Sequence, residues 1–511
     1  MKILLILPSA RTDEGTLSDF TYMLKLLTPD TKAGGKNIMA FMPLALPTLA
    51  AMVPPDADVR IVDENVEPIP FDEKVDLVGI SFVSFMAPRA YQIADAFRAR
   101  GVHVVLGGGH VTLLYQEAMA HADTVVLGEA EEVWPQFLED FANKKPKGLY
   151  RAERKPDLQR LVIPRWDLVH NRHYLTQLVQ TTRGCNQDCD FCTIRAIFGP
   201  PRVKPVENVL AEIEATKRLK RFPGKYKIMF ADDNIIGNAG YAKNLFKAMI
   251  PLDIRWSSQL SIHLAQDDEL LELAKQSGCD TVLIGFESIS QKNLDSVNKG
   301  RINRTDSFRK AIEKIQSRGI NIYGYFIFGL DDDDPSVFEA TVRFVQHAGI
   351  EYPLFNILSP FPGTRLYDRM MEEGRLGDYD FAKLNGYSVC FKPKNMTPEE
   401  LEQGFRWAIA ETYSHENILG RIHTGYGRGS LRGESPDTLA RVAVTGLLLR
   451  ELPRCDAAQR LFLGEMIKTL WTLRDIKINA LLMFLDRFEF GQRLRRGMGP
   501  CDAPSSSPSS T

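Results

Sequence analysis

The fold class this sequence predicts is α/β: a doubly wound N-terminal sheet, then a partial barrel of six βα units, then a mostly helical C-terminal region. Three observations predict it. Short apolar runs alternate with helical spacing from residue 1 to about 140, a second such alternation runs from 178 to about 370, and from about 395 to 490 the pattern is mostly helical. With 511 residues, the chain exceeds one ordinary core, so about two to four domains are expected.

In the first region the strand candidates are 3–7, 59–62, 77–82, 102–106 and 124–127, with helical apolar spacing from Pro88 to Arg100. Strands alternating with helices imply a parallel sheet covered on both faces. Such sheets bind ligands at the carboxyl ends of their strands, where Ser81, the triplet Gly107-Gly108-Gly109 and Gly128-Glu129 stand here. No G-x-G-x-x-G opens the first helix, because the loop after the first strand reads Pro8-Ser9-Ala10-Arg11-Thr12-Asp13. A nicotinamide dinucleotide is therefore disfavoured.

Residues 143–177, with Lys144-Lys145-Pro146-Lys147, read as a linker between a first domain of 1–142 and a second of 178–385. Strand candidates in the second domain are 178–182, 227–230, 255–259, 281–285, 321–328 and 353–358. Six βα units are the count of a TIM-like barrel open on one side. A helical domain over 386–495 starts at Thr397-Pro398-Glu399-Glu400, breaks at Gly425 to Gly433, and gives way to a low-complexity tail, 496–511, expected to be disordered.

Composition narrows the function. A net charge of −2 leaves no electrostatic footprint for nucleic acid. The apolar N-terminal run is too short for a signal sequence, and no stretch reaches about 20 apolar residues, so a cytoplasmic protein is expected. Seven cysteines, an odd and sparse count, disfavour a disulfide scaffold. Three of them lie in Thr182-Arg183-Gly184-Cys185-Asn186-Gln187-Asp188-Cys189-Asp190-Phe191-Cys192, with the spacing C-x3-C-x2-C after a strand. Soft thiolates select an iron-sulfur cluster or zinc, and zinc usually takes a fourth protein ligand, which is not evident nearby. Three thiolates leave one iron of a [4Fe-4S] cube open.

This spacing, with Phe191 before the last cysteine, resembles the signature of the radical S-adenosylmethionine (SAM) superfamily. The resemblance implies that Cys185, Cys189 and Cys192 hold a [4Fe-4S] cluster whose open iron binds SAM. Phe230-Ala231-Asp232-Asp233-Asn234, Trp256-Ser257-Ser258-Gln259 and Ile284-Gly285-Phe286-Glu287-Ser288 end strands where relatives contact SAM. Phe191, Asp232, Ser258, Gln259 and Glu287 are accordingly the candidate SAM residues, although a loop acid at Asp232 and a backbone-bonding Glu287 are the structural alternatives.

Phe326-Ile327-Phe328-Gly329 and Pro360-Phe361-Pro362-Gly363-Thr364-Arg365-Leu366-Tyr367 are similar to stretches of the radical SAM branch that carries an N-terminal, Rossmann-like cobalamin (B12)-binding domain. In that reading Ser81, Gly107, Gly108, Gly109, Gly128 and Glu129 contact cobalamin. The Asp-x-His-x-x-Gly of other cobalamin proteins is missing, which implies no histidine beneath the cobalt. His110 is a polar contact or, more simply, a satisfied loop histidine.

The resemblance implies a methyltransferase that moves methyl from methylcobalamin to an unactivated carbon, fed by an external electron donor such as flavodoxin or ferredoxin. Its alternatives are a radical oxidative cyclase of the same architecture and a non-catalytic corrinoid or iron-sulfur sensor. Relatives acting on bacteriochlorophyll-type tetrapyrroles and hopanoids point to a large apolar small-molecule substrate. The apolar helical stretches 439–449, 461–473 and 476–490 are core, or else cap such a substrate or touch a membrane surface.

Overall fold

A computed structural model describes residues 1–9, 11–12, 15–16, 41–160, 162–170, 173–219, 225–377, 380–433 and 438–496. The low-complexity tail after residue 496 and Cys501 lie outside them. The chain forms two compact units. The first holds the N-terminal strand, the chain up to Gln259, and Ser359–Phe391, whereas the second holds Leu260–Leu358 and the chain from Lys392 onward.

Six strands build the N-terminal sheet: β1 (Lys2–Leu7), β2 (Asp58–Asp63), β3 (Leu77–Ser81), β4 (His103–Gly107), β5 (Thr124–Leu127) and β6 (Leu149–Arg151). Their order is β2-β1-β3-β4-β5-β6, and every pairing is parallel. The two-residue period of β1 explains the double winding. Leu4 and Ile6 join a core with the helix Ala87–Arg98, while Ile3, Leu5 and Leu7 join a second core with the helices Ala45–Ala51 and Trp134–Ala142. β6 falls inside the stretch read from sequence as linker. Three residues of which only Tyr150 is buried carry too little pattern to announce a strand.

The first unit continues with β7 (Gln177–Val179), β8 (Lys227–Phe230) and β9 (Arg255–Gln259), where β8 pairs parallel with both β7 and β9. Trp256 packs on Phe230 at 5.6 Å and on Phe246 of the helix Ala239–Met249 at 4.9 Å, which fixes the helix-facing side of these strands.

In the second unit β10 (Cys279–Glu287), β11 (Asn321–Phe328) and β12 (Tyr352–Ile357) pair in parallel, β11 lying between the other two. All six expected strands are thus present, three in each unit. The C-terminal region is helical as expected, and its first helix, Pro398–Thr412, opens with a capping box between Thr397 and Glu400.

Candidate functional site

β7 runs through Thr181 into a two-residue ladder in which Thr182 faces Val203 and Arg183 faces Arg202, antiparallel. Between the two sides hangs the loop that carries the three cysteines. Its neck is narrow: Gly184 has φ +88°, and a Cβ there would stand 2.6 Å from the Gly199 carbonyl oxygen and 2.7 Å from that of Pro200. Only glycine fits. Cys189 is buried, Cys185 and Cys192 are half-buried, and no disulfide joins the described cysteines. Burial pushes the Cys192 thiol up to about 12, and the neighbouring Cys189 and Cys185 add to the shift. A thiolate here is costly unless iron takes up its charge. Three soft thiols on one short loop are the donor set of an iron-sulfur cluster, so the residues present fit that group.

Two adjacent acids follow β8 and differ completely. Asp232 is buried and accepts from the Thr181 hydroxyl at 2.7 Å, the Thr182 hydroxyl at 2.6 Å, the Thr181 backbone N–H at 3.1 Å, and the Thr182 backbone N–H. Its oxygens hold the approach to the cysteine loop, so the structure gives it a bracing place where a ligand contact was expected. Asp233 lies on the loop side. Burial, then the charge of Asp232, push its carboxyl up to about 6, against the pull of the Gly184 N–H and Arg183. Sequence reasoning passed over Asp233, because two consecutive aspartates offer no signal of which one faces inward.

Further ties were equally invisible. Arg365 donates to Asp190 at 2.8 Å, to the Asp188 carboxylate at 3.1 Å and to the Asp188 carbonyl at 2.6 Å. The Leu366 N–H adds a bond to the Asp190 carbonyl at 3.0 Å. The Pro360–Tyr367 stretch, singled out by resemblance, is thus strapped to the aspartates inside the cysteine motif. On the other side, Arg183 and Arg202 at the neck share the buried Glu129.

The remaining SAM candidates separate. Phe191 is half-buried within the loop. Ser258 is buried on the helix-facing side of β9 with Trp256, its hydroxyl donating to the Phe230 and Gln259 carbonyls; Gln259, one residue on, projects from the opposite side and is exposed. Glu287 has φ +65°, uncommon for a residue with a side chain, and its carboxylate folds back over Gly285 to meet Lys299 at 3.3 Å. Asn303 donates to the Gly285 and Phe286 carbonyls at 2.7 and 2.9 Å, holding that strand end.

Around the N-terminal sheet, Ser81 and Gly107 are register partners at the ends of β3 and β4. Gly108 has φ +101°, and a Cβ on it would stand 2.5 Å from the Phe82 carbonyl oxygen. Its glycine is therefore demanded by the neighbouring strand end. Gly109 meets only ordinary contact with Ile197 at 3.5 Å, and Gly128, at φ +77°, opens onto empty space. Thr112 ties the two rims, accepting from the Gly128 N–H at 3.0 Å and donating to the Gly108 carbonyl at 2.8 Å. Beside them lies a cavity of about 250 Å³ whose lining includes Gly128, Arg151, Arg154 and Lys155 together with Glu129 and Glu153. A cavity of mixed charge with three cations beside bare backbone has donors for the phosphate of a corrinoid's nucleotide tail. His110 is buried among Phe82, Tyr91 and Phe381 and pairs with the Tyr91 hydroxyl at 2.9 Å. Burial lowers it to about 4, so it is a neutral core histidine.

Three family models match the chain: the Radical SAM superfamily over residues 179–345, the B12 binding domain over 41–138, and a domain of unknown function (DUF4070) over 364–469. Bacteriochlorophyllide d C-12(1)-methyltransferase of Chlorobaculum tepidum is 34% identical over 392 residues, covering 75% of this chain and 84% of that protein. Hopanoid C-2 methylase of Rhodopseudomonas palustris is 28% identical over 403 residues, covering 74% of this chain and 76% of that protein. The solved structure of the cobalamin-dependent SAM radical enzyme OxsB, with aqua-cobalamin and SAM bound, superposes with a TM-score of 0.61 at 14% identity, covering 97% of this chain and 80% of that one. TsrM from Kitasatospora setae, with cobalamin and a [4Fe-4S] cluster bound, gives 0.57 at 15% identity, covering 97% and 99%. At such identities the likeness to OxsB and TsrM is one of fold. No described helix is long and apolar enough to cross a membrane.

Proposed function

The chain belongs to the radical SAM superfamily, in the branch with an N-terminal B12-binding domain, and on that premise we propose a cobalamin-dependent C-methyltransferase acting on a tetrapyrrole of the bacteriochlorophyllide type. The observation that carries this reading is the cysteine loop: three thiols on a tied neck, in a chain 34% identical to a bacteriochlorophyllide methyltransferase. A polycyclic lipid is the alternative substrate, favoured less because the hopanoid methylase is 28% identical.

When bound, the [4Fe-4S] cluster supplies the electron that cleaves SAM, and cobalamin supplies the methyl group for transfer to carbon. The chain's own residues position and shield. Cys185, Cys189 and Cys192 would hold the cluster. Asp233, facing the loop with a carboxyl held near neutrality, takes the amino-group contact first expected of Asp232. Phe191 shields the cluster, while Gln259 and Glu287 remain the candidates for the rest of SAM. Ser81, Gly107, Gly109 and Gly128 offer bare backbone and a hydroxyl to the corrinoid, whose tail takes the cavity beside Arg151 and Lys155. A small one-electron protein such as flavodoxin or ferredoxin would serve as donor. Val442, Leu449, Leu461 and Trp471, all about half exposed, give the helical region an apolar surface for peripheral membrane contact near such a substrate.

Anaerobic reconstitution with iron, sulfide and hydroxocobalamin tests this. With SAM, a strong reductant and a bacteriochlorophyllide, the expected products are 5′-deoxyadenosine, S-adenosylhomocysteine and a pigment heavier by about one methylene, the difference a C–H methylation leaves. Deoxyadenosine and an unmethylated, cyclised pigment would establish a cyclase instead. Wild-type protein that binds zinc and no cluster would sink the reading.

A further inference from the structure

We propose that Glu129, although it lines the cavity beside Gly128, is a positioning residue whose carboxylate is committed to fixing the cluster loop to the B12-binding sheet rather than to holding the corrinoid. This rests on the cofactor assignment above.

Glu129 stands two residues beyond β5, with a side chain only 1% exposed. One carboxylate oxygen accepts from Arg183 at 2.6 Å and the other from Arg202 at 2.6 Å, with Lys155 at 3.7 Å. These arginines are register partners, facing each other across the ladder that closes the neck. Arg183 comes two residues before Cys185. A single carboxylate therefore staples both sides of the neck to the rim of a sheet 54 and 73 residues earlier in the chain. Glu131 adds a second acceptor for Arg183 at 2.7 Å, and Gln180 occupies its remaining nitrogens at 2.9 and 3.1 Å.

The ladder and Gly184 already close the neck without Glu129. What the carboxylate adds is a bond to something outside the loop. A corrinoid contact would have to draw Glu129 off the Arg202 guanidinium, whose other acceptors among the described residues are the Pro156 and Phe198 carbonyls. Removing one partner of a buried ion pair leaves the other charge uncompensated, which is strongly unfavourable. The geometry is that of a supporting residue, which holds an active group in place without touching what it acts on.

The test is pulsed EPR on reconstituted holoenzyme carrying the reduced cluster and cob(II)alamin, reading the dipolar coupling between the two spins. Glu129→Gln is expected to keep iron, sulfide and cobalamin contents while broadening the distance distribution about twofold or more, since a loop without its support loses its sub-ångström placement. Glu131→Gln, which leaves both Glu129 bonds intact, is expected to keep the narrow distribution. If Glu129→Gln does not fold, Arg202→Gln, which frees one side of the neck, should show the broadening.

Glu129→Gln with an unchanged distribution overturns the proposal. So does Glu129→Gln that keeps its cluster but loses cobalamin, because Glu129 is then a corrinoid contact. Wild-type protein lacking either cofactor overturns the functional reading and this role together, whereas a normal wild type with an indifferent variant overturns this role alone.

Discussion

The cysteine loop and the glycine-rich rim of the N-terminal sheet are both built from short recognisable stretches, yet they are held in opposite ways. Local packing sets the rim: Gly108 is pressed onto Phe82, and His110 closes an aromatic cluster with Tyr91 and Phe381. The loop is set by charges and hydrogen bonds from distant parts of the chain, namely Glu129, Asp232 and Arg365. A packed rim tolerates change in polarity but not in volume, and a tied loop tolerates the reverse.

The severest break concerns the loop itself. Replacing Cys185, Cys189 or Cys192 by alanine should abolish cluster incorporation, read as iron and sulfide content, and SAM cleavage with it. Next is Asp232→Ala, which strips four donors of their acceptor and should cost about 3–5 kcal/mol of stability in urea unfolding. An unchanged midpoint would show that water replaces the carboxylate. On the rim, Gly108→Ala should cost about 3 kcal/mol from its left-handed backbone and the collision with Phe82, against about 1 kcal/mol for Gly128→Ala, which is left-handed in open space. Equal losses by thermal melting would erase the distinction between a packed and an open glycine.

The smallest effect is one of pH. His110 titrates at about 4 when folded, below the ordinary value of 6.5. Between those values the unfolded chain binds the extra proton, so stability rises with pH through the window and is lost on acidification. The loss reaches about 2 kcal/mol at pH 5 relative to pH 8. His110→Phe should flatten that slope in urea midpoints measured at the two pH values.

What could be read in the chain follows the same division. Strand–helix alternation and the helix start at Thr397 are local patterns, and each reappears in the structure where expected. β6 was missed because three residues carry no period. That Asp232 and not Asp233 turns back onto Thr181 and Thr182 depends on which way a strand end turns, and no local pattern announces it. The alternation of Ser258 with Gln259 was legible, but which face met the helices was decided by the packing of Trp256. The pairs Glu129 with Arg202 and Asp190 with Arg365 join residues 73 and 175 apart, and nothing in either neighbourhood names its partner.

The constriction at Gly184, Gly199 and Pro200 brings the two ends of the cysteine loop together before anything within it is specified. Closing a loop whose ends already meet costs little more when it grows, because the entropy rises only with the logarithm of its length. Within the loop the short helix Ile194–Phe198 adds a second tie, since Arg195 donates to the Cys185 carbonyl at 3.3 Å and its own carbonyl accepts from the Gly199 N–H at 3.1 Å. The neck thus acts as a clasp: it sets where the loop begins and ends, so the spacing of the three cysteines is measured from two fixed points.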